Sequence, residues 1–364
     1  MKILLDAHAA IEKKTGIGRY CDNLVTALSK NKKVKVCLYS NLPKRKISHA
    51  YRKYPSYSAH FKNGFYRVLL GLSQATKKLH PDIIHINNFA PLIKTCPIIN
   101  TVHDVCFKTC PSKYPLKTRV IFGLFFPRSL RLADEIICVS ETTKKNLMRL
   151  YPVDESKITV IHEACDPVFK YIKNDKNTKD KIRKKFGIKK DFFLVVGNIE
   201  KRKKPFQILE AFNKLIKENN DVQLVFAGPN LLKDFPPSES ERLVNSNHLK
   251  ILGYISNKDL NSLYNNAAAL IYDSHCEGFG LPLLEAMNCQ TPIICSDLKI
   301  MREVAANAAI FTKNNNDLHQ AMSSLLKDKK LRNRLIFQGR KRAKYFSWKK
   351  VSKKTIKVYK KALS

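Results

Sequence analysis

The apolar residues of the chain gather into short runs that recur at similar separations. KILLDA (2–7), VKVCLY (34–39), DIIHIN (82–87), PIINTV (97–102), EIICVS (135–140) and ITVIH (158–162) have the length and β-branched content of buried strands. Stretches with helical spacing separate most of them. After Phe169 the pattern breaks at KYIKNDKNTKDKIRKKFGIKK, which is polar, charged and carries one glycine; it predicts a linker followed by a short helix. The rhythm restarts with FFLVVG (192–197), VQLVFAG (222–228), LKILGYI (249–255), AALIYD (268–273), PIICS (292–296) and AAIF (308–311). Two sets of six strands alternating with helices predict an α/β chain with two parallel sheets. At the end, SWKKVSKKTIKVYKKAL sets Trp348, Val351, Thr355, Tyr359 and Ala362 at the spacing of one amphipathic helix face.

This pattern says where chemistry belongs. Open parallel sheets bind ligands beyond the carboxyl ends of their strands, so a two-domain version is expected to bind in the cleft between them. CEGFGLPLLEAM (276–287) follows the strand AALIYD, with Glu277 and Glu285 eight residues apart around Gly278, Gly280 and Pro282. The glycines permit a tight turn and a close ligand approach, and Pro282 suits the first helical position. Exposed N–H groups at such a helix start favour an anion, and a diphosphate would fit. Glu277 precedes the turn and Glu285 stands one turn into the helix, so the carboxylates can border one pocket from different elements. In VVGNIEKRKKPF, Arg202 and Lys203 follow the first strand of the second half and supply cations to offset a carboxylate beside a diphosphate. In the first half, TGIGRY puts Gly16 and Gly18 ahead of the helix GRYCDNLVTAL, a second place where N–H groups can meet phosphate. None of this is a dinucleotide fingerprint, because GFGLPL lacks the third glycine.

Composition narrows the class. A chain of 364 residues with a 44% hydrophobic share exceeds one ordinary domain and can bury two cores. No apolar run reaches membrane-spanning length, and MKILLDAH meets a charge at Asp6, too early for a secretory signal; a cytoplasmic protein is expected. The ten cysteines form no C-x2-C pair and sit mostly in apolar runs, which predicts reduced core thiols rather than disulfides or zinc ligands. The formal charge of +37 implies a polyanionic neighbour, whether nucleic acid, an acidic membrane surface or phosphorylated substrates, or else a solvated lysine surface. VIFGLFFPRSLRL (120–132), beside Arg119, Arg128 and Arg131, could lie at an anionic bilayer, making the protein peripheral at a membrane's inner face, or pack on its own sheet.

In their order and separations, DAH with TGIGRYCDNL, TVHDVCF (101–107), ICVSETTKKNL (137–147), VGNIEKRKKPFQILEAF (196–212) and YDSHCEGFGLPLLEAMNCQTPIICS (272–296) resemble glycosyltransferase family 4. These group 1 enzymes are retaining, use nucleotide-sugar donors and have the GT-B fold; the likeness is greatest to mannosyltransferase-like members. The resemblance implies two Rossmann-like domains with parallel sheets facing across a cleft. Residues 1–170 would bind acceptor, 171–345 would bind the nucleotide sugar, and the helix 346–364 would cross back to the first domain. It implies that Glu277 contacts the donor sugar near the reacting carbon and Glu285 holds the ribose hydroxyls. Arg202 and Lys203 would hold the diphosphate with backbone N–H groups around Phe279, Gly280 and Leu281. Gly16 and Gly18 would close over the donor phosphate, and His103 with Asp104 would lie under the donor sugar. The expected partners are a nucleotide sugar, first GDP-mannose, and a glycan or lipid-linked acceptor. No metal or other cofactor is expected, in keeping with the lack of a D-x-D motif.

The chain departs from the family pattern at Asn198, Lys201, Asp273 and Gln290, and HEACD (162–166) replaces an NGVD-like turn. Three competing readings remain. A basic nucleic-acid-binding protein would explain the charge, but no recognised module is visible and the cations are not interleaved with stacking aromatics. A glycoside hydrolase would use Glu277 and Glu285 across a scissile bond. A nucleotide-sugar epimerase would share the fold. Sugar-dependent release of a nucleotide diphosphate favours the transferase, and no nucleic-acid partner is expected.

Overall fold

The computed structural model describes residues 1–9, 16–40, 49–58, 61, 66–173, 176–237 and 241–364. The chain divides into two compact units, residues 1–164 with 346–364, and residues 165–345.

Unit 1 runs β1 (Lys2–Asp6), α1 (Gly16–Leu28), β2 (Lys35–Ser40), β3 (Ser56–Ser58), β4 (Ile83–Asn87), β5 (Ile98–Val102), α2 (Leu116–Leu132), β6 (Glu135–Cys138) and β7 (Ile158–Val160). The seven strands among its described residues form one parallel sheet in the order β3-β2-β1-β4-β5-β6-β7. The six strands expected from apolar runs are all present. β3 is an addition, because SYS is half-buried, has no apolar run, and becomes a strand only by pairing Ser56 with Leu38 at the sheet edge.

Alternate residues of β1 point to opposite faces of the sheet, and both faces are covered. Ile3 and Leu5 pack with Leu24, Val25 and Leu28 of α1 and with Val351, Val358 and Tyr359 of the C-terminal helix Trp348–Leu363. Leu4 faces the other core, with Ile84 and Ile86. On that side Phe126 and Leu130 of α2 meet Val102, Ile136 and Cys138. The C-terminal helix is fixed by more than apolar burial, since the Tyr359 hydroxyl bonds His85 Nδ1 (2.6 Å) while His85 Nε2 bonds Thr101 Oγ1 (2.6 Å). Burial first, and then His103 nearby, lowers the His85 pKa to about 3 and keeps that imidazole neutral.

Unit 2 opens with α3 (Lys176–Phe186), the short helix expected beyond the linker, and continues with β8 (Asp191–Val196), α4 (Pro205–Glu218), β9 (Val222–Ala227), β10 (Leu249–Ile251), α5 (Asn257–Asn266), β11 (Ala269–Tyr272), α6 (Leu281–Cys289), β12 (Ile293–Ser296) and β13 (Ile310–Thr312). Its sheet is parallel, in the order β10-β9-β8-β11-β12-β13. Phe193, Val195, Leu224 and Ile271 pack beneath Ile208 and Phe212 of α4. None of the ten cysteines, all among the described residues, is in a disulfide, and seven of them are buried. Each unit is thus a Rossmann-like doubly wound sheet, the pair of folds that makes the GT-B class. In each, strand order reverses beside the first strand, at β1 and at β8, which marks where a ligand site is expected.

Candidate active site

At the reversal point of unit 2 the carboxyl ends of β8 and β11 lie side by side. After β8 the chain makes a single turn of 3-10 helix at Lys201–Lys203, passes through Lys204 in left-handed backbone (φ 47°) and enters α4 at Pro205. The approach of strand ends here depends on glycine: a Cβ on Gly228 would lie 2.0 Å from the carbonyl oxygen of Gly197. After β11 the segment 273–280 folds back beside this turn, and the His275 amide donates to the Arg202 carbonyl at 2.9 Å.

The two turns bring three of the expected site residues into one cluster. Arg202 Nη1 donates to Glu277 Oε1 (2.6 Å) and to the Cys276 carbonyl (2.8 Å), while Nη2 donates to Glu200 (2.6 Å). Lys203 Nζ donates to the same oxygen of Glu277 and to the Tyr272 hydroxyl (2.8 Å), and lies 4.1 Å from the centre of that ring. Ser274 Oγ completes the group with a bond to Glu277 (2.8 Å). The Arg202, Lys203 and Glu277 side chains are only 17, 12 and 10% exposed, so little water screens their charges. Burial raises the Glu277 pKa, but Lys203 and Arg202, with bonds from Lys203 and Ser274, outweigh it and hold the carboxyl at about 2. Burial lowers the Lys203 pKa, opposed by the Glu277 carboxylate.

Gly280 has φ +102°, a backbone suited to glycine, and a Cβ there would meet Leu283 at 3.3 Å. It leads directly into α6, whose N-terminus has no side-chain cap. Leu281 is the first helical residue, so Pro282 is the second rather than the first. Phe279 and Leu281 are buried beside it. Glu285, one turn on, is 1% exposed, and its Oε2 accepts the Tyr264 hydroxyl of α5 at 2.8 Å. The two glutamates are therefore anchored separately. Tyr272 lies in the field of both: burial first, then Glu277 and finally Glu285 push its phenol well above the usual value.

Unit 1 holds the remaining expected residues. His103 follows β5, with Nδ1 2.9 Å from Glu163 Oε1 and Nε2 2.9 Å from Asn87 Oδ1 at the end of β4. The edge of the Tyr20 ring of α1 packs on it, centroids 4.8 Å apart. Asn87 in turn reaches the Asp6 carbonyl at the end of β1 (3.3 Å), so His103 lies at the reversal point of this sheet. The Oδ1 of Asp104 accepts the Cys106 amide (2.8 Å), just ahead of the short helix Cys106–Thr109. Gly16 and Gly18 lie within α1 rather than ahead of it, since Gly16 is already helical. Thr15 of the same loop lies outside the described residues.

Several members of these clusters were not evident from sequence. Glu163 is the acid in HEACD, and its pairing with His103 gives that departure from the NGVD-like pattern a physical reason. Asp273, another departure, accepts from Lys204 (3.0 Å) and from Ser296 Oγ. A charged residue at the mouth of a buried strand needs a counter-ion, a signal that could have marked Asp273 but was not used. Nothing in the local sequence marked Glu200, Tyr272 or Ser274.

Comparison with known proteins follows the same division. The family description "Glycosyltransferase Family 4" matches residues 14–169, and "Glycosyl transferases group 1" matches residues 178–342. The chain is 29% identical to O-antigen chain mannosyltransferase B of Escherichia coli over 79% of this chain and 80% of that one. It is 30% identical to O-antigen chain mannosyltransferase RfbU of Salmonella typhimurium over 65% and 62% of the two chains. Among solved structures it is similar to WaaG, a glycosyltransferase involved in lipopolysaccharide biosynthesis (TM-score 0.76, 16% identity, 98% and 99% of the chains covered). It is also similar to Anabaena HepE in complex with UDP and glucose (TM-score 0.77, 14% identity, 99% and 100% covered).

Proposed function

The chain belongs to the group 1 glycosyltransferases of family 4, and on that premise we propose that it is a retaining hexosyltransferase. The reading is that it moves mannose from a nucleotide-diphosphate sugar, first GDP-mannose, to a saccharide or lipid-linked acceptor in polysaccharide biosynthesis. The O-antigen mannosyltransferases among its relatives support the sugar and the setting. HepE, with UDP and glucose bound, supports a nucleotide-sugar donor for this fold.

One observation carries the chemistry: Arg202, Lys203 and Glu277 are locked in a single buried cluster beside the turn that opens α6. Breaking an anomeric bond leaves negative charge on the departing nucleotide diphosphate. In the proposed mechanism Arg202 and Lys203, with N–H groups around Phe279, Gly280 and Leu281, stabilise that charge more as the bond breaks than before. Donor phosphate would displace part of the hold Glu277 has on the two cations, which frees its carboxylate for the sugar. The division of ground-state and transition-state work then follows from one rearrangement. Glu285 holds the ribose, anchored from behind by Tyr264. The roles proposed for Gly16 and Gly18 toward donor phosphate, and for His103 with Asp104 toward the donor sugar, rest on the family resemblance. Charge neutralisation by these side chains makes the reaction metal-independent.

The test is a panel of GDP, UDP and ADP sugars, read by thermal shift and by release of nucleotide diphosphate in the presence of acceptor. GDP-mannose should give the largest rise in melting temperature, since a ligand that binds only the folded state stabilises it. A protein that no nucleotide sugar stabilises would overturn the proposal.

A further inference from the structure

We propose that Tyr20 is a positioning residue for His103, and that the C-terminal helix Trp348–Leu363 sets it from behind through a chain of buried hydrogen bonds. The inference rests on the transferase reading, in which His103 lies beside the donor sugar. All of the groups involved belong to unit 1, and Tyr20, His85, Thr101, His103 and Tyr359 are buried.

Tyr20 reaches along β5 and past its end. Its hydroxyl lies 3.1 Å from Thr101 Oγ1, and its ring meets the His103 ring nearly at a right angle (84°). Thr101 and His103 are two residues apart, so the alternation of a strand sends them to the same side. One phenol therefore ties the imidazole to the strand that leads into it. Glu163 and Asn87 hold His103 at its two nitrogens, and Tyr20 is the ring packed against it.

Two contacts from one helix converge on Tyr20. Trp348, the first residue of the C-terminal helix, packs on its ring with centroids 6.0 Å apart. Tyr359 stands about three turns further along at 3.6 residues per turn, on the same helix face. Its hydroxyl bonds His85 Nδ1 (2.6 Å), and His85 Nε2 bonds Thr101 Oγ1 (2.6 Å), the atom that also meets Tyr20. His85 is neutral, so one ring nitrogen carries a hydrogen and the other a lone pair. If Tyr359 donates to Nδ1, Nε2–H donates to Thr101, and the Thr101 hydroxyl is left to donate to Tyr20; in the other order every bond reverses together. Burial pushes the phenols of Tyr20 and Tyr359 up, so neither breaks the sequence by ionising. A change at Tyr359 thus reaches Tyr20 through bond direction alone. Anchoring the helix would not require this chain, since Val351 and Val358 already bury its apolar face in the core. A satisfied polar network in that core specifies one geometry where apolar packing tolerates several.

The test separates position from stability. Tyr359→Phe removes only the hydroxyl that bonds His85, and Thr101→Val cuts the same chain with a side chain of similar shape, so one remains if the other fails to fold. In each we expect turnover to fall about tenfold with affinity for GDP unchanged. Tyr20→Phe keeps the ring on His103 and should lose about as much, whereas Tyr20→Leu removes the ring and should lose about 10²-fold. In protein labelled with carbon-13 at histidine Cε1, the His103 resonance is assigned by its loss in His103→Asn. It should shift in every relay variant, while the resonances of His248 and His319 in unit 2 stay in place. That spectrum is read without substrate, so it decides the positioning role even if no nucleotide sugar is turned over and the transferase reading fails. A His103 resonance that stays in place overturns the proposal. So does parental turnover in Tyr359→Phe and Thr101→Val, or GDP affinity that falls in step with turnover, since either would leave the chain of bonds a stabilising feature of the core alone.

Discussion

The carboxyl ends of the two sheets invite comparison because their topology is the same and their chemistry is not. At the reversal point of unit 1, His103, Asn87, Glu163 and Tyr20 form a packed, hydrogen-bonded group with a single acid. At the reversal point of unit 2, Arg202, Lys203, Glu200 and Glu277 form a group of four formal charges that sum to zero, with Lys204 and Asp273 paired beside it. One end is set by shape and hydrogen bonds, the other by balanced charge. A doubly wound sheet only fixes where a ligand can bind, and the turn residues decide whether that place recognises shape or an anion.

The contrast can be broken most forcefully at Arg202. Arg202→Ala leaves Glu277 and Glu200 short of a counter-charge in a buried site, and we expect turnover to fall by 10²-fold or more, about 3 kcal/mol of transition-state stabilisation. Steady-state release of nucleotide diphosphate measures this. A variant that keeps parental turnover would leave the cluster a purely structural ion pair.

Glu277→Gln sharpens the comparison instead. It removes the anion that occupies both cations, so turnover should drop by about 10²-fold while nucleotide diphosphate binds as tightly as before or more tightly. Without nucleotide the variant should melt earlier, because two buried cations lose their partner. Calorimetric titration beside turnover separates the two effects; affinity falling in step with turnover would contradict the assigned role. The pH dependence has a definite sign. The folded pKa of about 2 lies below the ordinary 4.5, so the stability Glu277 contributes is fully present above 4.5 and is lost as pH falls through 2. Melting of the parent and of Glu277→Gln should therefore differ at neutral pH and converge in acid.

Smaller changes are expected at Glu285 and Glu163. Glu285→Gln should weaken nucleotide diphosphate by about 1.5–3 kcal/mol, the range of a charged hydrogen bond. Tyr264→Phe is its control, and equal losses from both would assign Glu285 to anchoring α6 on α5. In unit 1, Glu163→Gln keeps the shape beside His103 and removes the charge. We expect a loss of about 1 kcal/mol in stability and a modest fall in turnover, with little change in nucleotide affinity. A nucleotide affinity that falls with Glu163 would remove the distinction between the two ends.

Much of this was legible because periodicity is local. KILLDA, FFLVVG and AALIYD become β1, β8 and β11 within a residue or two, since each run must be buried on both faces and can only be a central strand. The turn EGFG into α6 was legible for the same reason, its glycines and proline being local backbone devices. β3 was not, because SYS has no burial pattern and takes its conformation from Leu38 and Tyr39 across the edge. Gly16 and Gly18 were set ahead of a helix that already includes them, since glycine lowers helix propensity but tertiary packing of Tyr20, Leu24 and Leu28 overrides it.

What the sequence determined by itself, then, is the two parallel sheets, the twelve apolar strands and the turns at which charge and glycine meet, all consequences of spacing within about twenty residues. The tertiary structure decided the partners. Glu277 meets Arg202 across 75 positions of chain, His103 meets Glu163 across 60, and His85 meets Tyr359 across 274. No local pattern encodes those distances, because a buried polar group is satisfied by whichever donor or acceptor the packed strands carry to it.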